Sequence, residues 1–295
     1  MKVAAYQSPL LALGSMEGLK LIAEQVRACE SIGVEILCCP EAVLGGLADY
    51  IRQPSDIAIE VSSGRLRSVL SPISSQTVTT IVGFTESGRN GELFNSAAVF
   101  HKGEVIGVYR KLHPAINRSV YKPGTGTSIF KVNGLAFGIV ICRDSTYPAL
   151  VQIMASQGAT VLFVPTNNGL APAKAGVEVV EQARNTDISR ARENAVLVIR
   201  ADVAGHADGL VSYGSSEIVD RDGTVLQAAK QLEPDLLIAD VPISSARTGK
   251  NRSNELRILV ARSRDKILGW TESGHGRCHW GSYRALAGNN GAASL

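Results

Sequence analysis

Cys142 ends an apolar run, Leu135-Ala136-Phe137-Gly138-Ile139-Val140-Ile141, and is followed at once by the polar Arg143-Asp144-Ser145. That run reads as a buried strand turning into a helix. A thiol at such a turn is held by a rigid element, faces outward and lies close to unpaired backbone N–H groups. Those amides stabilise a thiolate and also the oxyanion formed when it attacks a carbonyl carbon. An arbitrary cysteine is more often a small buried hydrophobe, and Cys38 and Cys39, inside another apolar run, take that reading.

Glu41 follows Pro40 at the end of that second run, Val34-Glu35-Ile36-Leu37-Cys38-Cys39. If the two strands run parallel, it stands on the same sheet edge as Cys142. A carboxylate there is placed to act as a general base, against the plainer role of a helix cap or a solvated loop residue. Lys111, in Tyr109-Arg110-Lys111-Leu112-His113, comes just past a third strand-like run. Its ammonium suits a developing oxyanion; beside Arg110 it also fits a basic loop. A thiol hydrolase of the papain kind, with His113 as base, is the competing chemistry, but the sequence around Cys142 has none of the signatures of those proteases.

The elements that must position these residues follow from periodicity. Residues 2–8 alternate as a strand. Leu19, Ile22, Val26 and Cys29 recur at helical spacing over 16–32, and Gly33 sits where a C-cap belongs. Strands are expected at 34–39, 77–84, 95–100 and 105–109. Two more, 128–132 and 135–141, flank Asn133-Gly134, the strongest short hairpin signal. A helix over 147–157, a strand at 160–164, a helix over Val177–Asn194 and a strand at 195–200 come next. A hairpin of 215–219 and 224–228, turning at Asp222-Gly223, and a strand at 235–241 complete the set. Mixed βαβ units and hairpins predict an α/β fold, with sheets carrying helices on their outer faces. One domain over 1–244 is expected, then a Ser/Arg/Gly/Asn-rich extension over 245–295.

Composition narrows the class. Hydrophobic residues are 45% and charged residues 19%, ordinary for a soluble globular protein. No apolar run approaches the roughly 18 residues of a membrane span, and Met1 to Gln7 turns polar too soon for a signal peptide. The five cysteines have no regular spacing, so free thiols and a cytoplasmic location are expected. There is no C-x-x-C pair and the histidines are scattered, so no metal is expected; His275, Cys278 and His279 read as a polar tail. Net charge is +3, and residues 245–295 carry nine Lys/Arg against three Asp/Glu. Without a stripe of aromatics this basic stretch suggests a solvated tail or a subunit contact, not nucleic acid.

Pro40-Glu41, Tyr109-Arg110-Lys111-Leu112-His113 and Val140-Ile141-Cys142-Arg143-Asp144 resemble the three blocks of the nitrilase superfamily of carbon–nitrogen hydrolases. Phe94-Asn95-Ser96-Ala97, Pro123-Gly124, Arg190-Ala191-Arg192-Glu193-Asn194, and Gly214-Ser215 through Asp222-Gly223 extend the likeness from Val3 to about Val241. The resemblance implies a four-layer α-β-β-α sandwich, a Glu41–Lys111–Cys142 triad, homodimers or larger assemblies, and no cofactor. It implies hydrolysis of a small amide or N-carbamoyl compound through a cysteine thioester. Nitrile hydrolysis by the same triad is the alternative, although Cys142-Arg143-Asp144 lacks the Cys-Trp-Glu usual in true nitrilases. The Arg143 N–H would share the oxyanion with Lys111, and its side chain would pair with a substrate carboxylate or, more plainly, with Asp144 or a neighbouring loop. Asn167 is expected to line the pocket.

One position departs from the pattern. The family commonly has a second glutamate between the lysine and the cysteine, yet residues 112–141 contain no Asp or Glu, and the matching position is Asn117. An altered specificity is expected from the lost charge, or a scaffold kept only for binding. Tyr147-Pro148-Ala149 likewise lacks the acidic residue of the family's Phe-Pro-Glu.

Overall fold

The computed structural model describes residues 1–242. The extension over 245–295, with its His275–Cys278–His279 cluster, lies outside them. In chain order the elements are β1 (Lys2–Pro9), α1 (Gly18–Ile32), β2 (Val34–Cys38), β3 (Ile59–Glu60), α2 (Arg65–Leu70), β4 (Thr79–Ser87), β5 (Leu93–His101), β6 (Glu104–Arg110), β7 (Ile129–Val132) and β8 (Leu135–Ile139). There follow α3 (Pro148–Ser156), β9 (Val161–Pro165), α4 (Val177–Asn194), β10 (Leu197–Ala201), β11 (Val203–Ala207), β12 (Leu210–Ser212), β13 (Glu217–Val219), β14 (Val225–Ala228) and β15 (Asp235–Asp240).

Two sheets form. In the first, the order is β12-β11-β1-β2-β4-β5-β6, with β15 antiparallel to β1 and β3 beside β4. In the second it is β14-β13-β10-β9-β8-β7. The central strands β8, β9 and β10 run parallel and, apart from the buried Arg200 of β10, are apolar on both faces, because one face meets the other sheet and the other meets helices. Val3, Ile36, Ile81 and Val99 of the first sheet share one core with Phe137, Phe163 and Ile199 of the second. Ile22, Val26 and Cys29 of α1 and Leu66 and Leu70 of α2 cover the outer face of the first sheet. Val151 and Met154 of α3 and Ala191 of α4 cover the second. The architecture is therefore the expected α-β-β-α sandwich.

Local signals held where chemistry was specific. Gly33 caps α1 at φ 73°, in the left-handed region that glycine tolerates. Asn133 and Gly134 both have positive φ, as a tight hairpin turn requires. Helix α4 has its expected bounds. The β11–β12 hairpin, the short strand β3 and the helix α2 were not foreseen; they are short, and periodicity needs length to register.

Candidate active site

The end of β2 delivers Glu41. The Cys39 N–H donates to the Ile81 carbonyl at 2.9 Å, and the Glu41 N–H reaches the Thr166 carbonyl at 3.2 Å. Strand β4 presses directly behind: a Cβ on Gly83 would overlap the Pro40 carbonyl and the Ala42 nitrogen. Glycine there lets two backbones touch. The Glu41 side chain is 1% exposed. Its Oε1 accepts from Lys111 Nζ at 2.6 Å and from Asn95 Nδ2 at 2.7 Å, and Oε2 accepts from the Asn167 N–H at 3.0 Å.

Lys111 enters from the end of β6, with its N–H on the Asn95 carbonyl and its own carbonyl taken by the Gly124 N–H, both at 2.8 Å. Its side chain is 3% exposed. Burial opposes the charge, but the carboxylate of Glu41, by its charge and its hydrogen bond, outweighs it, so the ammonium is held above its ordinary range.

Cys142 follows β8 and opens a short turn of helix, Cys142–Thr146. Its φ is 46°, uncommon for a residue with a Cβ and a sign of a backbone held by its surroundings. Asp144 does much of the holding. It is fully buried and accepts from Tyr109 Oη at 2.8 Å, the His113 N–H at 2.8 Å, the Leu112 N–H at 3.3 Å and the Ile141 N–H at 3.3 Å. One carboxylate thus joins the segment after Lys111 to the turn at Cys142.

Burial pushes the Cys142 thiol up to about 12, the Glu41 charge acts in the same direction, and Lys111 and Arg200 pull against them. The resting thiol is protonated at neutral pH and needs a base. His113 is otherwise engaged: its Nδ1 lies 3.1 Å from Asp144 Oδ1 and its ring stacks on Tyr147 at 3.5 Å.

Glu41 and Cys142 do not share a sheet edge, contrary to the expectation from parallel strands. Strand β2 belongs to the first sheet and β8 to the second, so the two groups converge across the gap between sheets. Local sequence reports a strand's end but not its sheet. Asn167 does meet Glu41, through its backbone N–H and through Nδ2 on the Glu41 carbonyl at 3.3 Å. Arg143 is exposed and its Nη1 donates to the Ala115 carbonyl at 2.8 Å, a contact with the neighbouring loop and not a salt bridge to Asp144. Asn117 is exposed and makes no hydrogen bond with its side chain among the described residues; Lys111 Nζ pairs with Glu41 instead. Asn95, Asp144 and Arg200 are site residues that the sequence reading did not single out, though Asn95 and Asp144 both stand within motifs that resemble the family.

A shallow, open cleft lies next to the loop that follows Glu41, lined by Leu10, Ala42, Val43, Tyr50, Asn167 and Leu210 among others. Cys142 is not part of its lining. Among the described residues no three His, Cys, Asp or Glu side chains gather as a metal site. No helix among them is long and apolar enough to cross a membrane.

The chain is similar to known proteins over most of the described residues. The family model described as carbon–nitrogen hydrolase matches residues 2–251. The glutamine-dependent NAD(+) synthetase of Thermotoga maritima is 30% identical over 243 residues, which cover 78% of this chain but only 40% of the synthetase. The nitrilase of Pyrococcus abyssi is 26% identical over 244 residues, covering 82% of this chain and 88% of its own. A mutant of the Nesterenkonia AN1 amidase, described as of the nitrilase superfamily, aligns with a TM-score of 0.66 and 22% identity over 82% of this chain and 92% of the amidase. The last shows likeness of fold. With the family model spanning most of its length, this chain belongs to the carbon–nitrogen hydrolases of the nitrilase superfamily.

Proposed function

We propose that the protein hydrolyses a small amide or N-carbamoyl compound, with Cys142 as nucleophile, Glu41 as general base and acid, and Lys111 as oxyanion donor. The observation that carries this reading is the buried Glu41–Lys111 pair at 2.6 Å, beside a strained cysteine whose thiol both charges act on. Glu41 takes the thiol proton while Sγ bonds to the carbonyl carbon. Lys111 and the Arg143 N–H hold the oxygen's negative charge. The proton passes from Glu41 to the leaving nitrogen, the C–N bond breaks, and a thioester remains. Glu41 then deprotonates water, whose oxygen attacks the thioester; the C–S bond breaks and the thiolate recovers the proton. The triad needs a reduced thiol, which suits a cytoplasmic setting.

The relatives' activities widen the test. The synthetase is named for glutamine, a primary carboxamide, and another relative is named a nitrilase. An ammonia-release screen over short primary amides, glutamine, N-carbamoyl amino acids and nitriles decides among them. The reading expects turnover of an amide or carbamoyl compound that vanishes in Cys142→Ala. Turnover of nitriles alone would move the assignment to nitrile hydrolysis, and a scaffold would show none. The basic extension is assigned to packing within a homo-oligomer, with residues 1–244 as the catalytic domain. Light scattering on the full chain and on one ending at Val241 tests this: an unchanged oligomer contradicts it.

A further inference from the structure

Beneath the Cys142 turn lies a buried ion pair for which the triad chemistry has no use. The Arg200 side chain, on β10, is 3% exposed, and its Nε and Nη2 grip Asp187 of α4 at 2.6 and 2.5 Å. The remaining donors turn toward the site. Nη1 donates to Thr166 Oγ1 at 2.7 Å and Nη2 also to Ser145 Oγ at 3.2 Å. Each of those residues holds a catalytic backbone: the Ser145 hydroxyl donates to the Cys142 carbonyl at 2.8 Å, and the Thr166 carbonyl accepts the Glu41 N–H at 3.2 Å.

We propose that Arg200 is a positioning residue of the reaction, clamping the Cys142 turn of one sheet against the Glu41 loop of the other and placing a positive charge behind the thiolate. This rests on the triad reading above. A guanidinium paired only for folding would be satisfied by Asp187 and any nearby carbonyls. Here its spare donors each stand one residue from a triad member, on opposite sides of the gap the two groups must span. The left-handed backbone at Cys142 persists only if its surroundings hold it, and the Ser145 hydroxyl on its carbonyl is one such hold.

The charges around the thiol are consistent with that role. Burial raises its pKa, Glu41 and Asp202 add to the rise, and Lys111 and Arg200 oppose it. Asp187 and Glu217 in turn keep the Arg200 guanidinium charged against its own burial.

The test uses iodoacetamide as probe on the full chain, with Cys142 alkylation located by mass spectrometry as a function of pH. Arg200→Gln combined with Asp187→Asn removes both charges and leaves neither unpaired. Its alkylation midpoint should move up by half a pH unit or more, about threefold less thiolate at any fixed pH below it. Arg200→Lys keeps the charge but not the fork, so alkylation should stay close to wild type while kcat falls and KM holds. Ser145→Ala leaves the ion pair intact and should lower kcat at least about threefold, again with KM little changed. A folded double variant with the wild-type alkylation profile overturns the proposal. If the double variant does not fold, Ser145→Ala with wild-type kcat overturns it. An unreactive Cys142 in the unaltered protein would instead sink the triad reading, so the two failures are distinct.

Discussion

Glu41 has opposed effects on its nucleophile. Its charge raises the thiol pKa in the resting site, yet it is the group placed to remove the proton once substrate arrives. Glu41→Gln separates these. Without the negative charge the thiolate is less disfavoured, so alkylation of Cys142 at neutral pH should become faster. Amide turnover should fall by about 10²–10⁴, the usual worth of a general base. Undiminished amide turnover in Glu41→Gln would deny Glu41 the base role, and alkylation no faster than wild type would deny that its charge governs the resting thiol. The residue types and their places at strand ends were legible in the sequence. The hydrogen bonds that orient them were not: Asn95 and Asn167 reach Glu41 from 54 and 126 residues away. Nor did sequence show that Asn117, the position of the family's second acid, would be exposed and make no hydrogen bond to Lys111.

Among the elements, the decisive arrangement is the meeting of three strand ends, β2 and β6 from one sheet and β8 from the other. Apolar runs and an Asn-Gly turn announced each strand, but nothing local tells which sheet a strand joins. Gly83 shows how narrow the fit is. Gly83→Ala would drive a methyl into the backbone of residues 40–42, with Glu41 Cα only 2.7 Å from the new carbon. Its φ is not in the left-handed region, so the damage is steric and local. Thermal unfolding should show a loss of about 1–3 kcal/mol, and turnover should fall further than that loss explains, because the Glu41 carboxylate is displaced. Wild-type turnover in Gly83→Ala would show that the loop has room to yield.

Across the whole molecule, the sandwich buries charge as well as hydrophobic surface. Glu217 of β13 packs under α4, where burial and the charge of Asp187 raise its pKa to about 7, against the pull of Arg184 and Arg200. A carboxyl group that binds its proton more tightly when folded stabilises the protein at low pH. That contribution fades as pH rises from the unfolded value near 4.5 through about 7. Glu217→Gln should remove this fading and leave the variant less sensitive to pH between 5 and 8, by on the order of 1–3 kcal/mol in urea unfolding. An identical pH dependence in both proteins would contradict the assignment. Sequence could not place this cluster, since Glu217, Arg200 and Asp187 meet only when two strands and a helix stack.

The claim on which the rest depends is covalent chemistry at Cys142. Quenched-flow mass spectrometry during turnover of an amide identified by the ammonia screen tests it most directly. The expected result is an acyl group on the peptide containing Cys142, released by hydroxylamine, with no adduct and no ammonia from folded Cys142→Ala. Ammonia release by Cys142→Ala at the wild-type rate, or an acyl group on another residue, would contradict it.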